Sequence, residues 1–139
     1  MIWVVDTCVL IDVLRGDETF GAASANAMQS KLHEGLTIAP LTYVELSPEF
    51  NGDIVAQNDF LDRIWIKRDF KYDNGTLLAA HKAWNEHIHR KRAGETRKRP
   101  IADIMIGAYA MQKGGLITRN EDDFRPLYPN LPIFNPEKL

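Results

Sequence analysis

The sequence has only one cysteine, Cys8, among its 139 residues. A single cysteine excludes an internal disulfide, so the composition fits a reducing compartment and we expect a cytoplasmic protein. Cys8 precedes the apolar residues 9–11, and we interpret it as a small buried residue. No uninterrupted apolar run approaches the roughly 20 residues of a membrane-spanning helix, and we expect no membrane association. The chain also lacks internal repeats, which excludes repeat architectures.

The sequence also lacks a strong excess of charge of either sign. Its net charge is −2, with 45% hydrophobic and 26% charged residues, as is typical of an ordinary globular protein. This nearly neutral chain lacks the overall excess of positive charge that is typical of a nucleic-acid binder. Any basic surface that binds nucleic acid must therefore be local. The length is that of one domain with a sizeable core, and we expect residues 1–139 to form a single domain.

Short apolar runs alternate with helix-compatible stretches along the chain. Residues 2–5, 36–40 and 116–118 have the composition of short buried strands, and residues 131–134 predict a last one. Thr42 and Glu45, three residues apart before an apolar stretch, predict a capping box at a helix start. Alternating strands and helices predict an α/β fold with a mostly parallel sheet.

Sheets of this kind bind their ligands just beyond the carboxyl ends of the strands, and acidic residues are predicted to lie there. Asp6 ends the first strand, Glu45 and Asp103 each lie in the first turn of a predicted helix, and residues 121–123 follow the third strand. Each position alone also fits a turn or a helix cap. Asp6 and Asp103, however, are flanked by apolar segments, where an uncompensated carboxylate is costly. A hard divalent cation would compensate converging carboxylates, and this chemistry indicates phosphodiester hydrolysis.

Two other classes of enzyme with an acidic site fit the sequence less well. A phosphatase of the haloacid dehalogenase type needs a second aspartate two residues after Asp6, and Cys8 occupies that position. A receiver-like phosphoacceptor needs a lysine after a late strand, where this chain has Arg119. The chain also contains no glycine loop of the Walker or dinucleotide-binding type.

The segments that carry the acids resemble the four motifs of PIN domains, in the same order and with similar spacing. They are VVDTCVLIDVL with Asp6, LTYVEL with Glu45, IADIMIGAYA with Asp103, and LITRNEDDF. The match is closest to the short toxin ribonucleases of the VapC type. This resemblance implies a three-layer α/β/α fold with a short, mostly parallel central sheet. It also implies an endoribonuclease that depends on Mg²⁺ or Mn²⁺.

The resemblance also assigns residues to the site. Three carboxylates carry over directly as catalytic and metal-binding residues: Asp6, Glu45 and Asp103. Asn120 stands where many family members have an acid, so we predict Asp123 as the fourth carboxylate, which would orient the attacking water together with Glu45. Four residues are predicted to support the site: Thr7, Thr118, Asn120 and Asp122.

A basic segment precedes the third motif. Six cationic residues within 90–99 are opposed only by Glu95. We predict that Arg97, Lys98 and Arg99 contact RNA phosphates, which would position the substrate without reading its sequence. The alternative is an ordinary solvated surface.

The resemblance implies partners as well as chemistry. It predicts that the chain is the toxin of a type II toxin–antitoxin pair, with an RNA substrate, a cognate antitoxin whose peptide occupies the groove, and a homodimer. Two alternatives stay open at this point: a non-catalytic RNA- or protein-binding module of the same fold, and a stand-alone RNA-processing nuclease.

Overall fold

Five short strands form the centre of the protein, described here by a computed structural model that covers residues 1–92 and 100–138. The strands are β1 (Ile2–Val5), β2 (Leu36–Ile38), β3 (Ile66–Arg68), β4 (Gly114–Ile117) and β5 (Ile133–Phe134). Their order in the sheet is β3-β2-β1-β4-β5, and every neighbouring pair is parallel. The prediction of a mostly parallel sheet is confirmed, and the carboxyl ends of the strands therefore share one edge.

Helices connect the strands and cover both faces of the sheet. The α-helices in the described ranges are α1 (Thr7–Arg15), α2 (Gly21–Lys31), α3 (Pro40–Glu45), α4 (Ile54–Arg63), α5 (Asn74–Arg92), α6 (Ile101–Lys113) and α7 (Glu121–Phe124). Short 3₁₀ segments lie at Leu32–Glu34, Ser47–Phe50 and Pro136–Lys138. In the part of the chain that the structure covers, no helix has the length and apolar character needed to cross a bilayer.

Two hydrophobic cores, one on each face of the sheet, hold the three layers together. Successive side chains of a strand point to opposite faces, so Val4 packs with residues of α5 and α6, including Tyr109. Trp3 and Val5 pack on the other face with residues of α1, α2 and α4, including Leu10. The predicted three-layer α/β/α architecture is confirmed.

The turn from β1 to α1 places Asp6 at the edge of the sheet. Asp6 has an extended backbone, with φ −67° and ψ 149°, and its Oδ1 accepts the Thr7 N–H at 2.8 Å. This bond satisfies one of the amides left open at the helix start. Helix α1 ends at Gly16, whose φ of 57° lies in the left-handed region that favours glycine.

Helix α3 begins earlier than the capping-box pattern predicts. Its first residue is Pro40, whose ring favours the first turn of a helix. Thr42 therefore lies inside the helix with its side chain buried, and it does not act as the N-cap. Glu45 is the last residue of α3 rather than part of its first turn. The predicted capping box is wrong, because the proline starts the helix two residues upstream of Thr42.

Candidate active site

Asp6 is the central carboxylate at the carboxyl edge of the sheet, and it is 5% exposed. Its Oδ1 accepts the Thr7 N–H at 2.8 Å. Its Oδ2 accepts the Thr118 hydroxyl at 2.7 Å and the Cys8 thiol at 3.3 Å. These three uncharged donors come from the ends of two neighbouring strands, and together they fix the orientation of the carboxylate.

The electrostatic environment of Asp6 is unfavourable to its charge. Burial raises its pKa above the ordinary 3.8, the bonds from Thr118, Cys8 and Thr7 oppose that shift, and the negative charge of Glu45 adds to it. Among the residues that the structure covers, no lysine or arginine forms an ion pair with Asp6 or with Glu45. The site therefore holds two neighbouring carboxylates without a compensating cation from these parts of the chain.

Thr7 links the second carboxylate to the first. Its hydroxyl donates to Glu45 Oε1 at 2.7 Å and lies 3.0 Å from the hydroxyl of Thr42. Thr42 and Glu45 are three residues apart on α3 and therefore face the same side of that helix. The structure thus brings Asp6, Thr7 and Glu45 into one hydrogen-bonded network, which the sequence motifs predicted only as a set of neighbours.

Asp103 lies in the first turn of α6, as predicted, and it is half-buried. Helix α6 leads directly into β4 and packs against β1 and α3. Its first turn is therefore at the same edge of the sheet as Asp6. Within residues 1–92 and 100–138, however, no three histidine, cysteine, aspartate or glutamate side chains lie close enough together to form a metal-binding group. The joint role of the three acids stays a prediction.

The fourth predicted position lies in and around α7. The Asn120 N–H donates to the Thr118 hydroxyl at 3.0 Å, and the Asn120 side chain does not cap the helix. Asn120, Asp122 and Asp123 line one polar pocket after β4. Glu121 lines the same pocket and is paired with Lys138, whose hydrogen bond lowers the Glu121 pKa. The choice of Asp123 as fourth carboxylate stays a prediction.

The basic segment is described only in part. Helix α5 ends at Arg92, so Arg90 and Lys91 lie in its last turn. Arg97, Lys98 and Arg99 lie outside the described residues. Their contact with RNA phosphates stays a prediction.

Cys8 packs against the hydrophobic core that contains Val5 and Leu10, as predicted for a small apolar residue, but it is less buried than expected and its thiol also makes a polar contact. Its side chain is only partly buried, and its thiol points at Asp6 Oδ2 and lies 3.9 Å from the Thr118 hydroxyl. Burial, together with the Asp6 charge, raises the Cys8 pKa to about 12. The thiol is therefore protonated near neutral pH, where it acts as a hydrogen-bond donor and not as a nucleophile.

Sequence reasoning missed an ion pair that supports the loop between β4 and α7. Arg119 donates to Asp12 Oδ2 from Nε at 2.8 Å and to Oδ1 from Nη2 at 3.1 Å. The Ser24 hydroxyl donates to the same carboxylate at 3.0 Å, and the Arg119 guanidinium stacks over the Phe20 ring at 4.2 Å. The available signal was Asp12 itself, a charged residue among the apolar residues of α1.

The donor set around Asp6 fits a hard divalent cation. Apart from the Cys8 thiol, which stays protonated, the side chains of the hydrogen-bonded network contribute carboxylate and hydroxyl oxygens: those of Asp6, Glu45, Thr7, Thr42 and Thr118. Oxygen ligands are preferred by Mg²⁺ and Mn²⁺, whereas zinc sites use histidine and deprotonated cysteine. A cation here would also relieve the unfavourable charge of Asp6.

Comparisons with known proteins agree with this architecture. A family model that describes the PIN domain matches residues 3–128, a range that contains the candidate residues from Asp6 to Asp123. No curated protein sequence matches the chain. Among solved structures, the chain is similar to a chain of VapBC2 from Rickettsia felis bound to a DNA fragment from its promoter. The TM-score is 0.70 over 97% of this chain and 98% of that one, with 14% identity. At this low identity, the structural similarity shows a common fold and nothing further.

Proposed function

The chain belongs to the PIN-domain family, whose members are generally nucleases that use divalent metals, and we propose that it is a metal-dependent endoribonuclease. The observation that carries the proposal is the network of Asp6, Thr7 and Glu45 at the carboxyl edge of the sheet. Two neighbouring carboxylates without a cationic partner in the described residues support a site for a divalent cation. In this proposal residues 1–139 are one nuclease domain.

The proposed roles follow from the motif positions of the four carboxylates and from the hydrogen bonds of Asp6 and Glu45. Asp6 and Asp103 would be the main ligands of the cation, Mg²⁺ or Mn²⁺, and Glu45 and Asp123 would complete the set. When bound, such a cation polarises a phosphate and stabilises the charge of the leaving oxygen. Glu45 is exposed and its Oε1 already accepts the Thr7 hydroxyl, so its Oε2 would take the proton of the attacking water.

The biological role that we propose is that of a VapC-type toxin in the cytoplasm, paired with a cognate antitoxin and acting as a homodimer. Support comes from the structural similarity to a chain of the VapBC2 complex and from the four motifs of the sequence. Expression of the chain alone should arrest growth, and co-expression of a small adjacent gene product should relieve the arrest. Cleavage without growth arrest would favour a stand-alone RNA-processing nuclease.

Cleavage of an RNA pool by the purified protein tests the chemistry. We expect cutting in Mg²⁺ or Mn²⁺, no cutting in EDTA, and a loss of at least about 100-fold in Asp6→Asn and Asp103→Asn with the circular dichroism spectrum unchanged. Asp59→Asn, which removes an exposed carboxylate on α4, is the matched control and should cut normally. Normal cutting by the Asp6 variant would refute the site.

The sample must be free of antitoxin before a negative result is interpreted. Mass spectrometry of the purified protein checks for a bound peptide. Absence of cleavage by antitoxin-free protein in either metal would favour the non-catalytic RNA- or protein-binding module.

A further inference from the structure

Phe70 is an exposed aromatic residue at the same edge of the sheet as the candidate site. Its side chain is 63% exposed, and it lies two residues beyond the end of β3. The register of the sheet places the ends of β1, β2 and β3 side by side, with Ile38 opposite Arg68. Since neighbouring strands are about 4.8 Å apart, the segment after β3 begins roughly 10 Å from Asp6.

Tyr72 ties this segment to the helix that carries Glu45. The Tyr72 hydroxyl accepts the Leu41 N–H of α3 at 3.2 Å. Burial raises the Tyr72 pKa, and the charge of Glu45 adds to the shift. The segment that contains Phe70 therefore packs against α3, the helix that carries Glu45, at the carboxyl edge of the sheet.

Tyr43 holds the Phe70 ring from one side. The two ring centroids are 5.1 Å apart with an interplanar angle of 81°, so the contact is edge to face. Tyr43 is itself held by a hydrogen bond from its hydroxyl to Asn58 Oδ1 at 2.8 Å. The edge-to-face contact with Tyr43 covers only part of the Phe70 ring. Because Phe70 is 63% exposed, much of its ring is open to another aromatic group.

A lysine next to Phe70 complements a phosphate group. Lys71, one residue after Phe70, is exposed, and it belongs to none of the ion pairs within residues 1–92 and 100–138. Two other charged residues of the segment already form ion pairs. Arg68 pairs with Asp62 at 2.7 Å, and Asp69 pairs with Lys113 at 3.3 Å. An open aromatic ring beside an uncompensated lysine is a combination with which proteins bind single-stranded nucleic acid.

We propose that Phe70, supported by Tyr43, stacks on an unpaired RNA base near the bond that is cleaved, while Lys71 contacts an adjoining phosphate. The inference rests on the proposed ribonuclease function and adds a subsite to it. A base inside a duplex is already stacked on its neighbours, so this subsite selects unpaired segments of RNA.

RNA binding without cleavage tests the subsite. The Asp103→Asn protein in Mg²⁺ is titrated with a fluorescent single-stranded oligoribonucleotide and with the same strand in a duplex. Adding Phe70→Leu should weaken single-strand binding about 10-fold, as expected for the loss of one stacked base. Adding Phe70→Trp instead should preserve single-strand binding, and duplex binding should change little with either variant.

Trp65→Leu provides the matched control. Trp65 is also an exposed aromatic residue, at 72%, but it precedes β3 and so lies at the opposite edge of the sheet. Its replacement should leave single-strand binding unchanged. An equal effect of the Phe70 and Trp65 variants would overturn the inference.

The outcomes separate this inference from the function on which it rests. If the wild-type protein cleaves RNA but Phe70→Leu leaves single-strand binding unchanged, the subsite is refuted and the nuclease stands. If the wild-type protein does not cleave RNA, the nuclease proposal fails, whatever the binding shows. If Phe70→Leu weakens only the binding of a co-expressed protein partner, the patch is a protein-docking surface and the inference is overturned.

Discussion

The Thr118 hydroxyl, at the end of β4, donates to Asp6 Oδ2, at the end of β1, at 2.7 Å. The same hydroxyl oxygen accepts the Asn120 N–H at 3.0 Å, and the Thr118 side chain is fully buried. The ends of two parallel neighbours meet at this point, so one hydroxyl joins the central carboxylate to the loop that leads into α7. Thr118 is a positioning residue for Asp6.

Replacing Thr118 by valine should impair the proposed cleavage without unfolding the protein. Valine keeps the shape of the side chain but removes the donor to Asp6 and the acceptor for Asn120. Loss of a group that orients a metal ligand typically costs about 10- to 100-fold in activity or metal affinity. We expect a fall of this size in kcat/KM, measured together with the Mg²⁺ dependence, and near-normal activity in Thr118→Ser.

Thr37→Val is the control for that experiment. The Thr37 hydroxyl donates to the Lys67 carbonyl at 2.7 Å, between β2 and β3, and does not contact Asp6. Its loss should lower stability but leave kcat/KM unchanged. Equal losses of activity in the two variants would argue against a specific role for Thr118.

The Asp12–Arg119 pair should be a major contributor to stability. The Asp12 side chain is 4% exposed and that of Arg119 is 24% exposed, so Asp12→Asn leaves a partly buried guanidinium without its charged partner. We expect the free energy of unfolding to fall by about 2 kcal/mol, the range for hydrogen bonds to charged groups. Partial exposure of Arg119 keeps the loss below the value for a fully buried pair. Urea denaturation of the wild-type and Asp12→Asn proteins measures the loss in the free energy of unfolding.

Asp59→Asn is the matched control for the pair. Asp59 bonds Arg63 at 2.8 Å on the surface of α4, with the two side chains 59% and 77% exposed. An exposed pair of this kind contributes at most about 0.5 kcal/mol. A similar effect of both substitutions would show that burial does not strengthen the Asp12–Arg119 contact.

Gly107→Ala should destabilise the protein although alanine is the better helix former. A Cβ at Gly107 would lie 2.6 Å from Tyr128 Cδ2, and the Tyr128 ring is held by its hydrogen bond to the Ile104 carbonyl at 2.7 Å. Overpacking of a core costs about 1–3 kcal/mol, which exceeds the helix-propensity gain of about 1 kcal/mol. Thermal unfolding should show a lower Tm.

Gly75→Ala serves as the comparison for that substitution. The nearest atom to its added Cβ is Gln112 Oε1 at 3.1 Å, on a flexible and exposed side chain that can move away. We expect no loss of stability there. A higher Tm for Gly107→Ala would contradict the packing argument.

The turn that presents Phe70 should loosen in acid. The Asp69 carboxylate accepts the Lys71 N–H at 2.9 Å, and this bond, with help from Lys113, holds the Asp69 pKa below 3.8. Because the Asp69 pKa is lower in the folded state than its ordinary 3.8, the stabilisation from this carboxylate is fully present above pH 3.8. It is lost as the pH falls through the folded-state pKa. NMR titration of the Asp69 carboxyl checks the direction. Asp69→Asn should weaken the pH dependence of stability below about pH 4, and an unchanged dependence would count against this contact.

Local chemistry explains why much of the fold could be predicted from the sequence. The Asp6 cap, the left-handed Gly16 and the start of α6 after Pro100 each depend on a few consecutive residues. Apolar runs separated by helices then predict a parallel sheet, because only that arrangement buries short apolar strands on both faces. The position of Asp6 and the presence of Asp103 in the first turn of α6 follow from these local signals.

Contacts between distant parts of the chain were decided by the tertiary structure. The bonds from Thr118 to Asp6 and from Arg119 to Asp12 join residues 112 and 107 positions apart, and no sequence spacing specifies such pairings. The capping-box prediction failed at Thr42 for a local reason, the earlier start at Pro40, but only packing turned its hydroxyl toward Thr7. The sequence by itself determined which residue types reach the sheet edge. Packing of the helices against the sheet determined their partners, because side-chain contacts depend on distances in space that the order of residues does not contain.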